Sequence, residues 1–159
     1  MRITILCVGK VKESFMRAAV DEYRKRLSRY VKLAVVEVAD EKTPDHASEK
    51  EEMLIRGREG GQLLRRIKSE DYVIALAIEG NAHDSLSFAR MIDRLGVSGK
   101  GNVVFVIGGS LGLSEEVLSR ADETVSFSKM TFPHQLMRVI LLEQIYRGYR
   151  IIKKEPYHK

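Results

Sequence analysis

Two hydrophobic spacings alternate along this chain. Arg2–Val8 is a short run rich in β-branched and apolar residues, and Leu33–Val38, Tyr72–Ile78, Val103–Ile107 and Glu123–Phe127 read the same way. Runs of this length and make-up predict strands. The third and fourth are apolar almost throughout, which predicts strands buried on both faces. Between the strands the spacing changes to three and four. Phe15, Met16, Ala19, Val20, Tyr23 and Leu27 form one stripe of a helix over Glu13–Tyr30. Ser48 followed by Glu51 fits a capping box that opens a helix to about Ile67. Ser85 is placed to cap a helix to Leu95, and Ser114 a short one to Arg120. Pro133 suits the first turn of a helix running to about Tyr149.

Strand and helix in alternation predict an α/β fold: a mostly parallel sheet with helices on both faces, formed by residues 1–159 as one domain. There is no internal repeat and no linker. The glycines around Lys100 mark one loop tip, and the acidic segment at 40–50 marks another loop. The last helix departs from the pattern. Leu136, Met137, Val139, Ile140, Leu141, Leu142, Ile145, Tyr146 and Tyr149 cover far more than one stripe. Such a helix must be covered on more than one side. A second protomer is the natural cover, and a central core helix is the alternative.

Charge sharpens the picture once it is located. The chain has 27 Lys and Arg against 22 Asp and Glu, a net charge of +5. Residues 1–128 balance, so the whole excess lies in 129–159, which ends Tyr157-His158-Lys159. A second basic cluster, Lys10 to Lys32, is offset by the acidic stretch Asp40 to Glu59. Segregated positive charge points to a polyanion, most often nucleic acid. The single cysteine, Cys7, excludes an internal disulfide, reads as a core thiol, and leaves no zinc pattern, so no metal is expected. The N-terminal apolar run is too short for a signal peptide, and no segment suits a membrane span; a cytoplasmic protein is expected.

Candidate chemistry gathers where the fourth and fifth strands end. The first loop, Gly108-Gly-Ser-Leu-Gly112, is glycine-rich; the second, Ser126 to Gln135, ends in the proline that opens a helix. Loops at the carboxyl ends of parallel strands are the usual ligand site of such sheets, so these two are expected side by side. Gly9-Lys10 lacks the rest of a P-loop. The first loop is not a dinucleotide fingerprint, and no acidic residue ends the following strand to hold a ribose. It does spell Gly-x-Ser-x-Gly, with Asp122 and His134 following in hydrolase order. A nucleophile elbow needs its serine where the helix starts, whereas here the cap is Ser114, four residues after Ser110. His46 and His83 fall in surface loops; His134, at a helix start, reads as a packing or hydrogen-bonding residue.

Longer motifs carry a resemblance. Val104-Phe-Val-Ile-Gly-Gly-Ser-x-Gly112, then Ser126-Phe-Ser-Lys-Met-Thr-Phe-Pro-His-Gln135, Arg138-Val-x-Leu-x-Glu-Gln-x-Tyr-Arg147 and a final Tyr-His-Lys resemble the bacterial ribosomal RNA large subunit methyltransferase H family, of the SPOUT class. The resemblance spans the whole chain, including Ile3-Thr-Ile-Leu-x-Val-Gly-Lys10. It implies a C-terminal trefoil knot, an exception to the rule against threaded chains. It implies a homodimer with S-adenosylmethionine bound near the subunit interface. Leu76, Gly108, Phe127, Ser128, Lys129, Met130, Thr131 and Phe132 would line that cofactor site. The activity implied is methylation of N3 of a pseudouridine in 23S ribosomal RNA, on the ribosome. On this reading His158 assists removal of the N3 proton and Tyr157 positions the base. Arg147 and Arg150 hold phosphates or stabilise the imide anion. One alternative has no protein base, with cationic surroundings lowering the imide pKa. Two other functions stay open: a non-enzymatic RNA- or ribosome-binding module, and a serine hydrolase using Ser110.

Overall fold

The computed structural model describes residues 1–159. Five strands and five helices alternate: β1 (Arg2–Val8), α1 (Ser14–Leu27), β2 (Lys32–Val38), α2 (Glu49–Leu64), β3 (Tyr72–Ala82), α3 (Ser85–Val97), β4 (Asn102–Ile107), α4 (Glu115–Arg120), β5 (Glu123–Ser126) and α5 (His134–Ile152). All five strands join one sheet in the order β2-β1-β4-β3-β5, and every pairing is parallel. The alternation of strand side chains divides the core between two faces. Ile3, Ile5, Cys7, Ile74, Val103, Phe105 and Ile107 face α1, α3 and α5, where Val20, Phe88, Ile92, Leu141 and Ile145 complete the larger cluster. Leu6, Val8, Val73, Val104 and Val106 face α2 and α4 through Leu63 and Val117. Strands inserted between two helical layers must be apolar at consecutive positions, as β4 is.

Helix starts follow local chemistry. Ser48 and Glu51 form the reciprocal capping box, and the Ser114 hydroxyl accepts from the Val117 N–H. The third cap differs from the sequence expectation. Asp84 caps α3, accepting the Ser87 N–H at 2.7 Å. Ser85 instead donates its hydroxyl to Gln144 Oε1 at 2.9 Å, joining α3 to α5. A carboxylate accepts more strongly than a hydroxyl, and it lies one residue earlier.

β3 also runs further than the apolar pattern suggested. Its first half pairs with β5 through Leu76 opposite Val125, and Asn81 then pairs with Val125 again. The backbone between them loops out and returns to the same strand. Gly80 makes this possible: a Cβ there would sit 2.8 Å from the backbone N and C of Val125. Polar Asn81 and Ala82 owe their strand geometry to β5, so their own sequence carries no strand signal.

This close approach generates a stability prediction. Gly80→Ala should cost about 1–3 kcal/mol, because the contact is with backbone, which cannot rotate away. Gly57→Ala, in exposed helix with nothing within 4 Å of the new Cβ, should gain about 0.5–1 kcal/mol. Denaturant unfolding of the two variants reads both. A Gly80→Ala protein as stable as wild type would mean that the returning loop does not press on β5.

Candidate functional site

The loops after β4 and β5 meet, although β3 lies between those strands. With the end of β3 they enclose a cavity of about 760 Å³ at the carboxyl edge of the sheet. Its walls are Leu76–Glu79, Ile107–Leu113, Leu118, and a stretch from Val125 to Met137 that omits Ser126, Lys129, Gln135 and Leu136. Leu76, Gly108, Phe127, Ser128, Met130, Thr131 and Phe132 all line it, whereas Lys129 is exposed and does not. Leu111, Pro133 and His134, which lie in the two loops the sequence marked as the ligand site, line it too, and so do Ile78, Glu79, Leu113 and Met137, which the sequence had not marked. The signal for Met137 and His134 was the turn of helix that Pro133 opens. Nothing local distinguished Ile78 or Glu79.

Backbone shapes the glycine-rich wall. A Cβ on Gly108 would lie 2.7 Å from the carbonyl carbon of Gly112, so the loop closes on itself only without side chains there. Gly112 takes φ of +80°, a left-handed conformation suited to glycine. Behind Gly109 the Glu59 carboxylate accepts the Glu41 N–H at 3.0 Å. Burial, with Asp40 and Glu41 nearby, raises its pKa. The second loop is held by its serines: Ser126 Oγ donates to the Ser128 carbonyl at 3.2 Å, and Ser128 Oγ accepts the Met130 N–H at 2.9 Å.

Ser110 and His134 share this cavity, but no catalytic triad forms. Asp122 precedes β5, at the opposite edge of the sheet, and there accepts the Val73 N–H at 2.8 Å. Ser114 caps α4, so Ser110 is not at a helix start. The Cys7 thiol is buried in the larger core, and burial raises its pKa to about 12, which leaves it unreactive.

The predicted tail residues form a second cluster, at the far end of α5. Arg147 lies about 15 Å further along the helix than the cavity residue Met137. Glu143 organises this cluster, and the sequence reading had not singled it out. It accepts from Arg147 at 2.6 and 3.0 Å and from the Tyr157 hydroxyl at 3.1 Å. Arg147 also stacks over the Tyr157 ring, 4.7 Å from its centre, and approaches His158 Nδ1 at 3.3 Å. A guanidinium can only donate, so Nδ1 accepts and a neutral His158 carries its proton on Nε2. Burial and the Glu143 charge raise the Tyr157 pKa to about 12, keeping the phenol protonated at neutral pH.

A helix end motif holds the tail in this place. The Glu155 N–H bonds the Arg150 carbonyl and the Lys154 N–H bonds that of Ile151, the paired bonds of a Schellman turn. Lys154 takes the left-handed position, φ +56°, usually given to glycine. Arg150 then donates to the Pro156 carbonyl at 2.7 Å and pairs with Glu155 at 2.5 Å, while Tyr30 donates to the same carboxylate. Arg150 is thus engaged in holding the turn.

His134 gives a pH prediction. Burial, with the Arg138 charge nearby, lowers its pKa below the ordinary 6.5. The folded protein therefore resists a proton that the unfolded chain accepts. Its contribution to stability is complete above pH 6.5 and is lost as pH falls through that value toward the folded one. Urea unfolding from pH 7.5 down to about 5 should show wild type losing stability faster than His134→Gln. Parallel profiles would mean that the ring is protonated without penalty.

No cluster of three or more His, Cys, Asp or Glu is arranged to hold a metal ion, and no helix is long and apolar enough to cross a membrane. The family model described as "Predicted SPOUT methyltransferase" matches residues 1–158. The ribosomal RNA large subunit methyltransferase H of Clostridium novyi (strain NT) is 61% identical over 159 residues, covering 100% of both chains. That of Clostridium tetani (strain Massachusetts / E88) is 60% identical, again over 100% of both. Among solved structures, a probable methylase family protein from Haemophilus influenzae Rd KW20 aligns with TM-score 0.55 at 12% identity, over 99% of this chain and 70% of that one. At that identity the likeness speaks for the fold.

Proposed function

Because the chain belongs to the SPOUT methyltransferase family, and within it to the ribosomal RNA large subunit methyltransferase H family, we propose that it methylates 23S ribosomal RNA in the cytoplasm. The donor is S-adenosylmethionine and the acceptor N3 of a pseudouridine. The observation that carries this reading is the cavity itself. Its 760 Å³ lies within the roughly 300–1,000 Å³ usual for small-molecule sites. Its wall pairs apolar side chains (Leu76, Ile107, Phe127, Phe132) with a glycine loop whose backbone a ligand can approach. Glu79 is the single carboxylate on the wall, a suitable neighbour for a cationic cofactor. These residues fit the donor: Leu76, Gly108, Phe127, Ser128, Met130, Thr131 and Phe132 would hold it. When bound, S-adenosylmethionine supplies an electrophilic methyl group.

The remaining work falls to the tail. Its residues are at the wrong end of α5 to reach the cavity of their own subunit. A homodimer in which the tail of one subunit meets the cavity of the other resolves this. Exposed Ile78, Met130 and Phe132 at the cavity rim, and the half-buried Leu136, Val139 and Ile140 of α5, supply the apolar surface for it.

Within the tail, Glu143 fixes Arg147 and Tyr157, and Arg147 fixes His158. Tyr157 remains protonated and acts by position and hydrogen bonding. His158 offers an Nε2–H, so it serves best as a donor to an imide oxygen on which charge grows as the N3 proton leaves. Arg147 adds a fixed positive charge. Proton removal by His158 is the competing role; it requires Nδ1 to leave Arg147.

Single-turnover methylation of ribosomes separates the two. His158→Ala should slow the reaction about 100-fold, with unchanged calorimetric binding of S-adenosylmethionine. His158→Gln, which restores a donor, should recover most of that loss. A glutamine variant as slow as alanine, with a lost limb of the pH–rate profile, would make His158 the base. Mixing His158→Ala with a cavity-filling Leu76→Trp protein should restore activity through heterodimers. Absence of any recovery would sink the shared site, and absence of cofactor binding by wild type would sink the enzyme reading.

A further inference from the structure

A second concavity lies at the amino edge of the sheet, opposite the cofactor cavity. It measures about 620 Å³ and is formed where β1, β2 and β4 begin. Arg2, Arg29 and Lys32 contribute positive charge to it, and Ser28 and Asn102 contribute polar groups. None of its lining residues is acidic. Arg2, Arg29 and Lys32 make no ion pair within the chain, although the chain forms seven such pairs elsewhere. Two carboxylates bonded to groups beside the cleft have partners of their own: Asp71 accepts from Asn102 and from the Lys68 N–H, and Glu155 is held by Arg150 and Tyr30.

We infer that this cleft binds the phosphodiester backbone of the RNA substrate. Uncompensated cations cost little in water but repel one another when crowded, and a polyanion relieves that repulsion. The cleft is open and its cationic side chains are exposed, which suits a chain of phosphates better than an enclosed small anion. Its position suits the same partner. Tyr30 forms part of its wall and also hydrogen-bonds Glu155 and Arg150, the residues that hold the tail. RNA whose target base meets Tyr157 and His158 can therefore extend directly onto these cations. This inference rests on the ribosomal RNA reading, but it concerns docking and not the chemical step.

The test is equilibrium binding of purified ribosomes to the full-length protein across a salt series. The triple variant Arg2→Gln/Arg29→Gln/Lys32→Gln should bind about tenfold or more weakly at low salt. Its plot of log affinity against log salt should be shallower by about two units, as expected for three lost phosphate contacts. The corresponding variant with lysine at 2 and 29 keeps its point charges and should bind as wild type does. Calorimetric S-adenosylmethionine binding and thermal unfolding should not change in either, so a failed cofactor site is read separately. If the triple variant does not fold, Arg29→Gln/Lys32→Gln on two exposed positions gives the same measurement with a smaller slope change. Equal ribosome affinity and equal salt slope in wild type and variant would overturn the inference. So would loss of binding to anionic lipid vesicles with ribosome affinity intact.

Discussion

A single buried guanidinium decides where the last third of the chain can go. Arg138, fully buried one turn into α5, pairs with Glu37 at 2.6 Å and donates to the carbonyls of Val8 and Gly9. It therefore pins the start of α5 to the ends of β1 and β2. β5, which immediately precedes α5, is at the other edge of the sheet beyond β3. The connection must cross from β5 to β1, about 14 Å at the spacing of sheet strands. The residues between Ser126 and His134 can reach at most about 29 Å. With half its reach consumed, and its serines bonding its own backbone, that loop has little choice but to roof the ends of β3 and β4. The cavity is the space beneath it. Removing the guanidinium would take from Glu37 its ion-pair partner, leaving it the Val11 N–H, would deprive two carbonyls of that donor, and would leave the roof without its fixed end.

From that anchor α5 runs back the length of the sheet, so one helix separates two kinds of chemistry. Its first turns border an apolar cavity with glycine backbone. Its last turns carry the charged and aromatic cluster of Glu143, Arg147, Arg150 and five of the six tyrosines, Tyr23, Tyr30, Tyr146, Tyr149 and Tyr157. Tyr30 stacks on Tyr149 at 5.6 Å, and Tyr146 meets Tyr157 edge-on at 5.0 Å. These contacts, with the Schellman turn, account for an ordered end to the chain where terminal residues are commonly frayed. Order in the tail has a consequence: Tyr157 and His158 cannot swing to their own cavity without breaking the bonds of Arg150 and Glu143. The separation therefore argues for a shared site more strongly than the apolar girth of α5 does alone.

The sequence was most legible where local spacing and burial agree. β1 and β4 are apolar at successive positions because helices cover both their faces. Ser48 and Ser114 cap because the residues three positions on present their N–H groups. It was least legible where a distant strand or a buried charge decides. Asn81 and Ala82 become strand through β5. Arg138 looks like one more cation in a basic segment, and only the fold turns it inward. Glu143 looks like half of an ordinary i, i+4 pair with Arg147, and its third partner, Tyr157, arrives through a turn built on a left-handed lysine. A contiguous motif also says less than it implies about individual residues: Lys129 sits amid residues that line the cavity and itself points elsewhere.

The same charge pattern bears on how a proton leaves the substrate. Every strong acceptor near the tail is occupied, Glu143 by Arg147 and Tyr157, and Glu155 by Arg150 and Tyr30. His158 turns its acceptor nitrogen toward Arg147 and its N–H outward. A cluster arranged this way is poor at removing a proton and good at tolerating the anion left behind. On the proposed N3 reading the acceptor is an imide, whose acidity rises with each donor placed on its oxygens, and such an arrangement would move its ionisation toward neutral pH without a dedicated base. The proposed reaction would then need only to bring that anion and the donor's methyl group together in line. That task falls to the rigid partition that Arg138 and the tail impose on the two ends of α5.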